Sequence, residues 1–222
     1  MIIVMQCASS KTATAGHLND TEGRAVKFVS RPDLAPPSSK HVYAHPDETT
    51  TSGTSWRTRL EQYNAAPSGN PLGLLSAWQL YSPAIYQRLA HHFSPQRFYI
   101  LSAGWGLIRS DFLTPLYDIT FSNAAGAYKK RTARTPFRDV NHLPPSLDEP
   151  LIFLGGKSYQ PLFLNLTSRY SGQRVLLFNS QESPTFRGCM TVRFPTTRRT
   201  NWHYSGAEAL LDGSLRIPDV TQ

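Results

Sequence analysis

The chain has 222 residues, of which 40% are hydrophobic and 17% are charged. This composition excludes a highly charged disordered chain and fits one α/β domain spanning residues 1–222. Its 23 Lys and Arg outnumber 15 Asp and Glu, giving a net charge of +8 at pH 7. That balance favours a polyanionic partner, most simply nucleic acid, although a protein can be basic without one. No run of about 18 apolar residues is present, so we expect no membrane-spanning helix.

The start of the chain and its two cysteines favour a cytoplasmic location. The segment Met1–Met5 is short and lacks the basic leader of a signal peptide. Cys7 and Cys189 do not make a disulfide framework, and neither has a second Cys or a His at the spacing of zinc ligands. We therefore expect a reducing environment and no metal or organic cofactor.

The first half of the chain alternates apolar and polar segments. An apolar run at residues 2–5 predicts a strand buried on both faces, and the small polar loop 6–11 follows it. Residues 12–55 are rich in Ser, Thr, Pro, His and Asp, which predicts a long polar insertion or loop. Helical patterns follow at residues 56–66, 72–81 and 84–92.

The second half contains the remaining predicted strands. These are expected at residues 97–101, 151–154 and 174–178, with a short extended piece at 117–121. Helices are predicted at residues 158–169 and 205–211, whereas residues 122–149 are basic and Pro-rich without a clear period. Strands that alternate with helices predict a three-layer α/β sandwich with a central, mostly parallel sheet.

Four polar or Gly-rich segments are expected to meet beyond the carboxyl ends of the strands, where such sheets bind ligands. They are residues 6–11, 102–109, 155–157 and 179–182. In the first, backbone N–H groups, hydroxyls and an ammonium could hold a phosphate, the alternative being an ordinary turn. In this segment we expect four side chains to contact the substrate: Cys7, Ser9, Ser10 and Lys11.

The other three segments contribute further candidates. In the second, glycines would allow a ligand to approach the backbone and a Trp could stack on a base, the alternative being a tight turn with the Trp in the core. In the third, a Gly-Gly-Lys turn could hold a phosphate at a helix N-terminus, or could simply expose its Lys. The candidates are Ser102, Gly104, Trp105, Gly106, Gly155, Gly156, Lys157 and, in the last segment, Asn179.

Two basic clusters suggest contacts to DNA phosphates, and the alternative is a solvated basic surface. The first comprises Lys129, Lys130 and Arg131, with Arg134 and Arg138 nearby. The second contains Arg193, Arg198 and Arg199 and runs into Asn201, Trp202 and His203, whose side chains could enter a groove or replace a base.

Asp118, next to Tyr117, is the candidate catalytic carboxylate. A carboxylate in a cleft can orient a water molecule or stabilise a developing oxocarbenium ion. Asp111 is a nearby rival, and an Asp in a loop can also be a turn former or a helix cap.

Four motifs together resemble a known family. They are Cys7–Lys11, Leu80–Tyr86, Ile100–Ile108 and Pro115–Asp118. In this order they look like the YaaA-related domains, including those found with deazaguanine-modification and phage-defence genes. The family pattern has a Lys where this chain has Gly104, and lacks the residue that corresponds to Leu116.

This resemblance implies a fold similar to the uracil-DNA-glycosylase superfamily and a monofunctional DNA glycosylase. Within the family the chain looks most like defence glycosylases that excise glucosylated hydroxymethylcytosine from double-stranded phage DNA. Asp118 and Lys11 would then be the catalytic residues, the basic clusters would grip phosphates, and Trp105, Tyr117 or Trp202 would stack on or wedge between bases. The alternatives are a non-catalytic DNA-binding stress-response protein and a nucleoside or nucleotide-sugar transferase.

Overall fold

The computed structural model describes residues 1–65, 69–132 and 134–218. The strands in chain order are β1 (Ile2–Gln6), β2 (Leu18–Asn19), β3 (Ala25–Phe28), β4 (Val42–Ala44), β5 (Leu75–Ser76), β6 (Phe98–Ser102), β7 (Gly106–Arg109), β8 (Leu113–Thr114), β9 (Val140–Asn141), β10 (Leu151–Leu154), β11 (Arg174–Phe178) and β12 (Cys189–Arg193). The α-helices are α1 (Trp56–Ala65), α2 (Ala77–Leu80), α3 (Ile85–His92), α4 (Gln160–Leu166) and α5 (Trp202–Leu211), and short 3₁₀ helices form at Pro32–Leu34 and Lys157–Tyr159.

A seven-stranded sheet forms the centre of the fold, in the order β12-β11-β10-β1-β6-β7-β9. Neighbouring strands are parallel except β6 and β7, which form an antiparallel hairpin. β6 and β10 are buried along their whole length and β1 from Ile2 to Met5, because continuous apolar runs suit strands that are covered on both faces. The prediction of a mostly parallel α/β sheet is confirmed.

Helices pack against this sheet at different strands. Helix α5 contacts β10 and α3, and α4 contacts β7. The contact of α5 is close because Gly206 lies near Leu154 and Leu177 of the sheet. This arrangement is compatible with a three-layer α/β fold. None of the helices in the described ranges is both long and apolar enough to cross a membrane.

Most predicted elements are present, with different bounds. The four predicted strands at residues 2–5, 97–101, 151–154 and 174–178 are confirmed by β1, β6, β10 and β11. The predicted helix 56–66 is α1, and its expected last residue lies outside the described residues. The predicted helix 72–81 is only α2, because β5 pairs with β8 just before it. Sequence patterns missed β7 and β12, and α5 begins three residues earlier than expected.

The polar segment 12–55, for which the sequence predicts a long insertion or loop, contains short strands. It contains β2, β3 and β4, which form a small sheet of their own. Val26 and Phe28 of β3 are fully buried in the core, while Lys27 between them faces the other way. The high content of Ser, Thr and Pro concealed this short alternating strand.

Candidate functional site

Loops from three strands meet at the carboxyl edge of the central sheet. The Gly156 N–H donates to Gln6 Oε1 at 2.6 Å, which joins the ends of β10 and β1. Cys7 Sγ lies 3.2 Å from Tyr159 Oη and accepts a hydrogen bond from the Ala103 N–H at 3.4 Å. The chain leaves β1 towards β6 on one side and leaves β10 towards β11 on the other. The site therefore lies at a switch in strand order, where open α/β sheets bind ligands.

Buried hydroxyl groups form the floor of this edge. Tyr117 Oη lies 2.8 Å from Tyr81 Oη and accepts a hydrogen bond from Ser102 Oγ at 2.9 Å. Burial raises the pKa of Tyr81, Tyr117 and Tyr159 well above the ordinary value, so these phenols stay protonated. The floor is neutral, polar and rigidly hydrogen-bonded.

Asp118 lies above this floor, between two lysines. Its backbone N–H donates to the Phe28 carbonyl at 2.8 Å, which sets it beside β3. Asp118 Oδ2 is 2.6 Å from Lys129 Nζ and 3.7 Å from Lys27 Nζ. The hydrogen bond that the Lys129 ammonium donates to Asp118 raises the pKa of Lys129, so this lysine stays charged.

Lys11 faces the same place from the loop after β1. It bridges to Tyr81 through the backbone, and its Nζ lies 4.3 Å from the centroid of the Tyr117 ring and 5.9 Å from that of Tyr81. Burial lowers the pKa of Lys11, opposed by attraction to Cys7 and Asp118. We name Lys11, Lys27, Lys129 and Asp118 the lysine cluster. With three amines around one carboxylate, it is suited to binding an anion.

Two cavities are lined by residues that lie close in sequence to the predicted site segments. A cavity of about 630 Å³ is walled by Phe121, Phe137, Asn123, Asn165 and Lys130, among others. It is adjacent to the cluster because residues 118–121 run beside residues 129–131, with the Arg131 N–H donating to the Thr120 carbonyl at 2.8 Å. A cavity of about 360 Å³ lies at the ends of β10 and β11 and is lined by Lys157, Asn179 and Glu182, among others.

The accessible part of the predicted substrate site is smaller than expected. Ser9, Ser10 and Lys157 are exposed, and Lys11, Asp118, Gly156 and Asn179 are partly exposed. The remaining predicted substrate contacts are buried: Cys7, Ser102, Gly104, Trp105, Gly106, Tyr117 and Gly155. These seven can shape the site from below, but in this structure they cannot touch a ligand at the surface.

The Gly-Trp-Gly segment is a hairpin turn, so its predicted stacking role is corrected. Trp105 is fully buried and packs edge-on against Phe28, with ring centroids 5.1 Å apart. Gly106 has φ +96°, and a Cβ there would lie 2.4 Å from the Val140 carbonyl oxygen. A Cβ on Gly104 would lie 3.0 Å from the Tyr117 ring. These glycines serve packing and the turn, not the approach of a ligand.

Three of the predicted DNA contacts are also corrected. Arg131 is buried and binds Asp139 through two hydrogen bonds of 2.8 and 2.6 Å, so its guanidinium is already paired. Trp202 is buried near Phe194, and His203 is buried beside it in α5. The more accessible residues of the two clusters are Lys129, Lys130, Arg198, Arg199 and Asn201.

Sequence reasoning missed three residues of the site: Lys27, Tyr81 and Tyr159. Lys27 lies in the segment 12–55, for which an insertion or loop is predicted, although its position between two apolar residues is a strand signal. Tyr81 belongs to one of the family-like motifs, but no spacing rule links it to Tyr117. Tyr159 follows the Gly-Gly-Lys turn and reaches Cys7 only because β1 and β10 are neighbours.

Comparison with known proteins adds nothing to the site residues that the geometry indicates. No protein-family model matches the chain, and no curated protein matches it. Within the described residues, no group of three or more His, Cys, Asp or Glu side chains is arranged to hold a metal ion.

Proposed function

We propose that the protein is a DNA glycosylase that flips out and excises a modified base from double-stranded DNA. The observation that carries the proposal is the partly exposed Asp118 carboxylate, held by Lys129 and Lys27 at the carboxyl edge of the sheet. A carboxylate among cations suits a reaction in which positive charge develops on a sugar flanked by phosphates. The resemblance to YaaA-related domains and the uracil-DNA-glycosylase-like fold it implies point to the same chemistry.

The lysines would bind phosphates, and the carboxylate would act on the sugar. Lys27 and Lys129 would turn from Asp118 to the phosphates on either side of the flipped nucleotide, since ammonium groups bind phosphate as point charges. That exchange leaves Asp118 facing the sugar. As the C1′–N bond breaks, the carboxylate stabilises the oxocarbenium-like sugar and accepts a proton from the attacking water.

Lys11 would act on the departing base. Its ammonium lies over the ring of Tyr117, and it can donate a proton to the base as the base gains negative charge. The cavity of about 630 Å³ next to the cluster would receive the base. Its volume falls within the roughly 300–1,000 Å³ of small-molecule sites, and its walls combine aromatic rings with amides, which suits a base carrying a polar substituent.

The first substrate to test is glucosylated hydroxymethylcytosine in phage DNA, with antiviral defence in the cytoplasm as the corresponding role. The protein is incubated with glucosylated and unmodified phage DNA, and the released bases are identified by mass spectrometry. We expect release of the modified base only, each release creating one abasic site. DNA binding without release of any base would favour a binding protein. Turnover of free nucleosides or nucleotide sugars without DNA would favour a transferase.

A further inference from the structure

The Lys11 side chain differs from the other two members of the lysine cluster. Lys27 and Lys129 both approach Asp118 within 4 Å, at 3.7 and 2.6 Å. The Lys11 amine instead lies 4.3 Å from the centroid of the Tyr117 ring and 5.9 Å from that of Tyr81. Burial together with repulsion from Lys129 and Lys27 lowers its pKa, although Cys7 and Asp118 counteract part of this effect.

This environment is the one that makes a lysine amine a nucleophile. An amine attacks only when it is neutral, and desolvation beside other cations favours the neutral form. Aromatic faces bind the ammonium only weakly compared with a carboxylate in contact, so the amine can leave them. The partly exposed Asp118 opens the cluster to a substrate.

We propose that Lys11 is the nucleophile of an abasic-site lyase activity, which goes beyond base release and rests on the proposed function for the identity of its aldehyde. The ligand is the ring-opened sugar of an abasic nucleotide, whose C1′ aldehyde reacts with the Lys11 amine. The flanking phosphates of the same strand occupy Lys27 and Lys129. In base excision, the proton that Lys11 gives to the departing base leaves its amine neutral for this second step.

The chemistry balances without an oxidant or reductant. The Lys11 nitrogen adds to C1′, which gives a hydroxyl group on that carbon. This hydroxyl takes one proton and leaves as water, and the product is an imine that is protonated on nitrogen. After base excision the proton comes from Asp118, which received it from the attacking water and becomes ionised again, and on preformed abasic DNA it comes from solvent. The Asp118 carboxylate removes a proton from C2′, the electron pair moves towards the iminium, and the 3′ phosphate leaves as the C3′–O bond breaks. Water then hydrolyses the imine, which releases the unsaturated aldehyde and restores the Lys11 amine.

Borohydride trapping on preformed abasic DNA tests the proposal without requiring base excision. A duplex with one abasic site is incubated with the intact protein and sodium cyanoborohydride, which reduces an imine to a stable amine. We expect a covalent protein–DNA product, and peptide mapping by mass spectrometry should place the adduct on Lys11. Without the reductant, the strand should be cut on the 3′ side of the abasic site.

The matched variants are Lys11→Arg and Lys40→Arg. Lys11→Arg keeps the positive charge but cannot form the imine, so the crosslink should be lost. Lys40 is exposed and outside the site, so Lys40→Arg should crosslink like the wild type. An adduct on another amine of the wild-type protein, or no adduct at all, would overturn the proposal even if Lys11→Arg failed to fold.

The two proposals can fail separately. Release of a modified base with no crosslink and no strand cleavage would leave the glycosylase and remove the lyase. A crosslink on Lys11 with no release of any base would support the nucleophile and remove the glycosylase.

Discussion

Single residues show how burial reverses an expectation drawn from residue type. His203 follows a basic, aromatic-rich stretch that favours DNA contact, yet its ring is buried in α5 near Trp202 and Tyr204. Its Nε2 has no hydrogen-bond partner among the described residues. Burial lowers the pKa of His203 from 6.5 to about 4. The neutral ring contributes to the core and not to a charged surface.

This burial gives a pH dependence of stability. The unfolded state binds a proton near pH 6.5 and the folded state only near pH 4, so acidification through this window favours unfolding. At pH 4.5 the buried His203 lowers the free energy of unfolding by about 2–3 kcal/mol relative to pH 7. His203→Leu removes the titrating group and fills the space with apolar atoms. Between pH 7 and pH 4.5 we expect the variant to lose about 2–3 kcal/mol less unfolding free energy than the wild type. Urea denaturation at the two pH values measures both losses.

The comparison of the two proteins isolates His203, because the other histidines are present in both. At pH 7 the variant should be as stable as the wild type or slightly more, since an apolar group replaces an unpaired polar one. If the wild type and the variant lose equal stability on acidification, His203 does not have the lowered pKa.

At the scale of elements, the turn between β6 and β7 is held by buried arginines. Arg57 of α1 donates to the carbonyls of Gly104 and Trp105, both at 3.1 Å, and pairs with Asp47. Arg131 donates to the Ala103 carbonyl at 2.9 Å. Every carbonyl of residues 103–105 therefore receives a guanidinium hydrogen bond. The arginines fix the turn whose N–H groups contact Cys7 and Ser102.

Removing one of these arginines should destabilise the fold. Arg57→Met removes the guanidinium from two buried carbonyls and from the partly buried Asp47, whose carboxylate then keeps, among the described residues, only the Arg138 N–H. Breaking such a charge pair costs about 3–5 kcal/mol. We expect a loss of this size in the free energy of unfolding. The matched control is Arg59→Met on the same helix, where the guanidinium lies over the Trp56 ring at 4.7 Å. That contact is worth about 1 kcal/mol or less. Equal losses of unfolding free energy in the two variants would therefore contradict the proposed role of Arg57 in holding the turn.

Local sequence patterns predicted the strands of the central sheet better than the contacts between distant segments. Continuous apolar runs predicted β1, β6, β10 and β11 because each strand buries both faces. The Gly-Trp-Gly segment has the composition of a ligand loop, and nothing local distinguishes it from a hairpin turn. Its true neighbours, Arg57 and Val140, come from distant parts of the chain.

At the scale of the whole molecule, the site depends on long-range pairing that a single sequence does not specify. Lys11 is predicted from the polar loop that follows the first strand, and Asp118 from its position after the Gly-Trp-Gly loop and from the family-like motif. Lys27 joins them because Phe28 of the polar segment 12–55 pairs with Tyr117. The basic excess did not indicate where each cation lies: Lys27 and Lys129 surround Asp118, whereas Arg57 and Arg131 are buried in the fold. The sequence gives the net charge, but only the fold shows which basic residues lie at the site and which are buried.

The most direct test of the account is single-turnover excision of the modified base by Asp118→Asn. This substitution keeps the shape of the side chain and removes its charge, so it should affect the transition state more than DNA binding. We expect excision to be slower by about 10²–10³-fold, the effect of losing one preorganised electrostatic group, with DNA affinity little changed. Asp111→Asn is the control, since Asp111 pairs with Arg109 at 2.9 Å in the hairpin, and it should excise like the wild type. Excision by Asp118→Asn at the wild-type rate would contradict the assignment of Asp118 as the catalytic carboxylate.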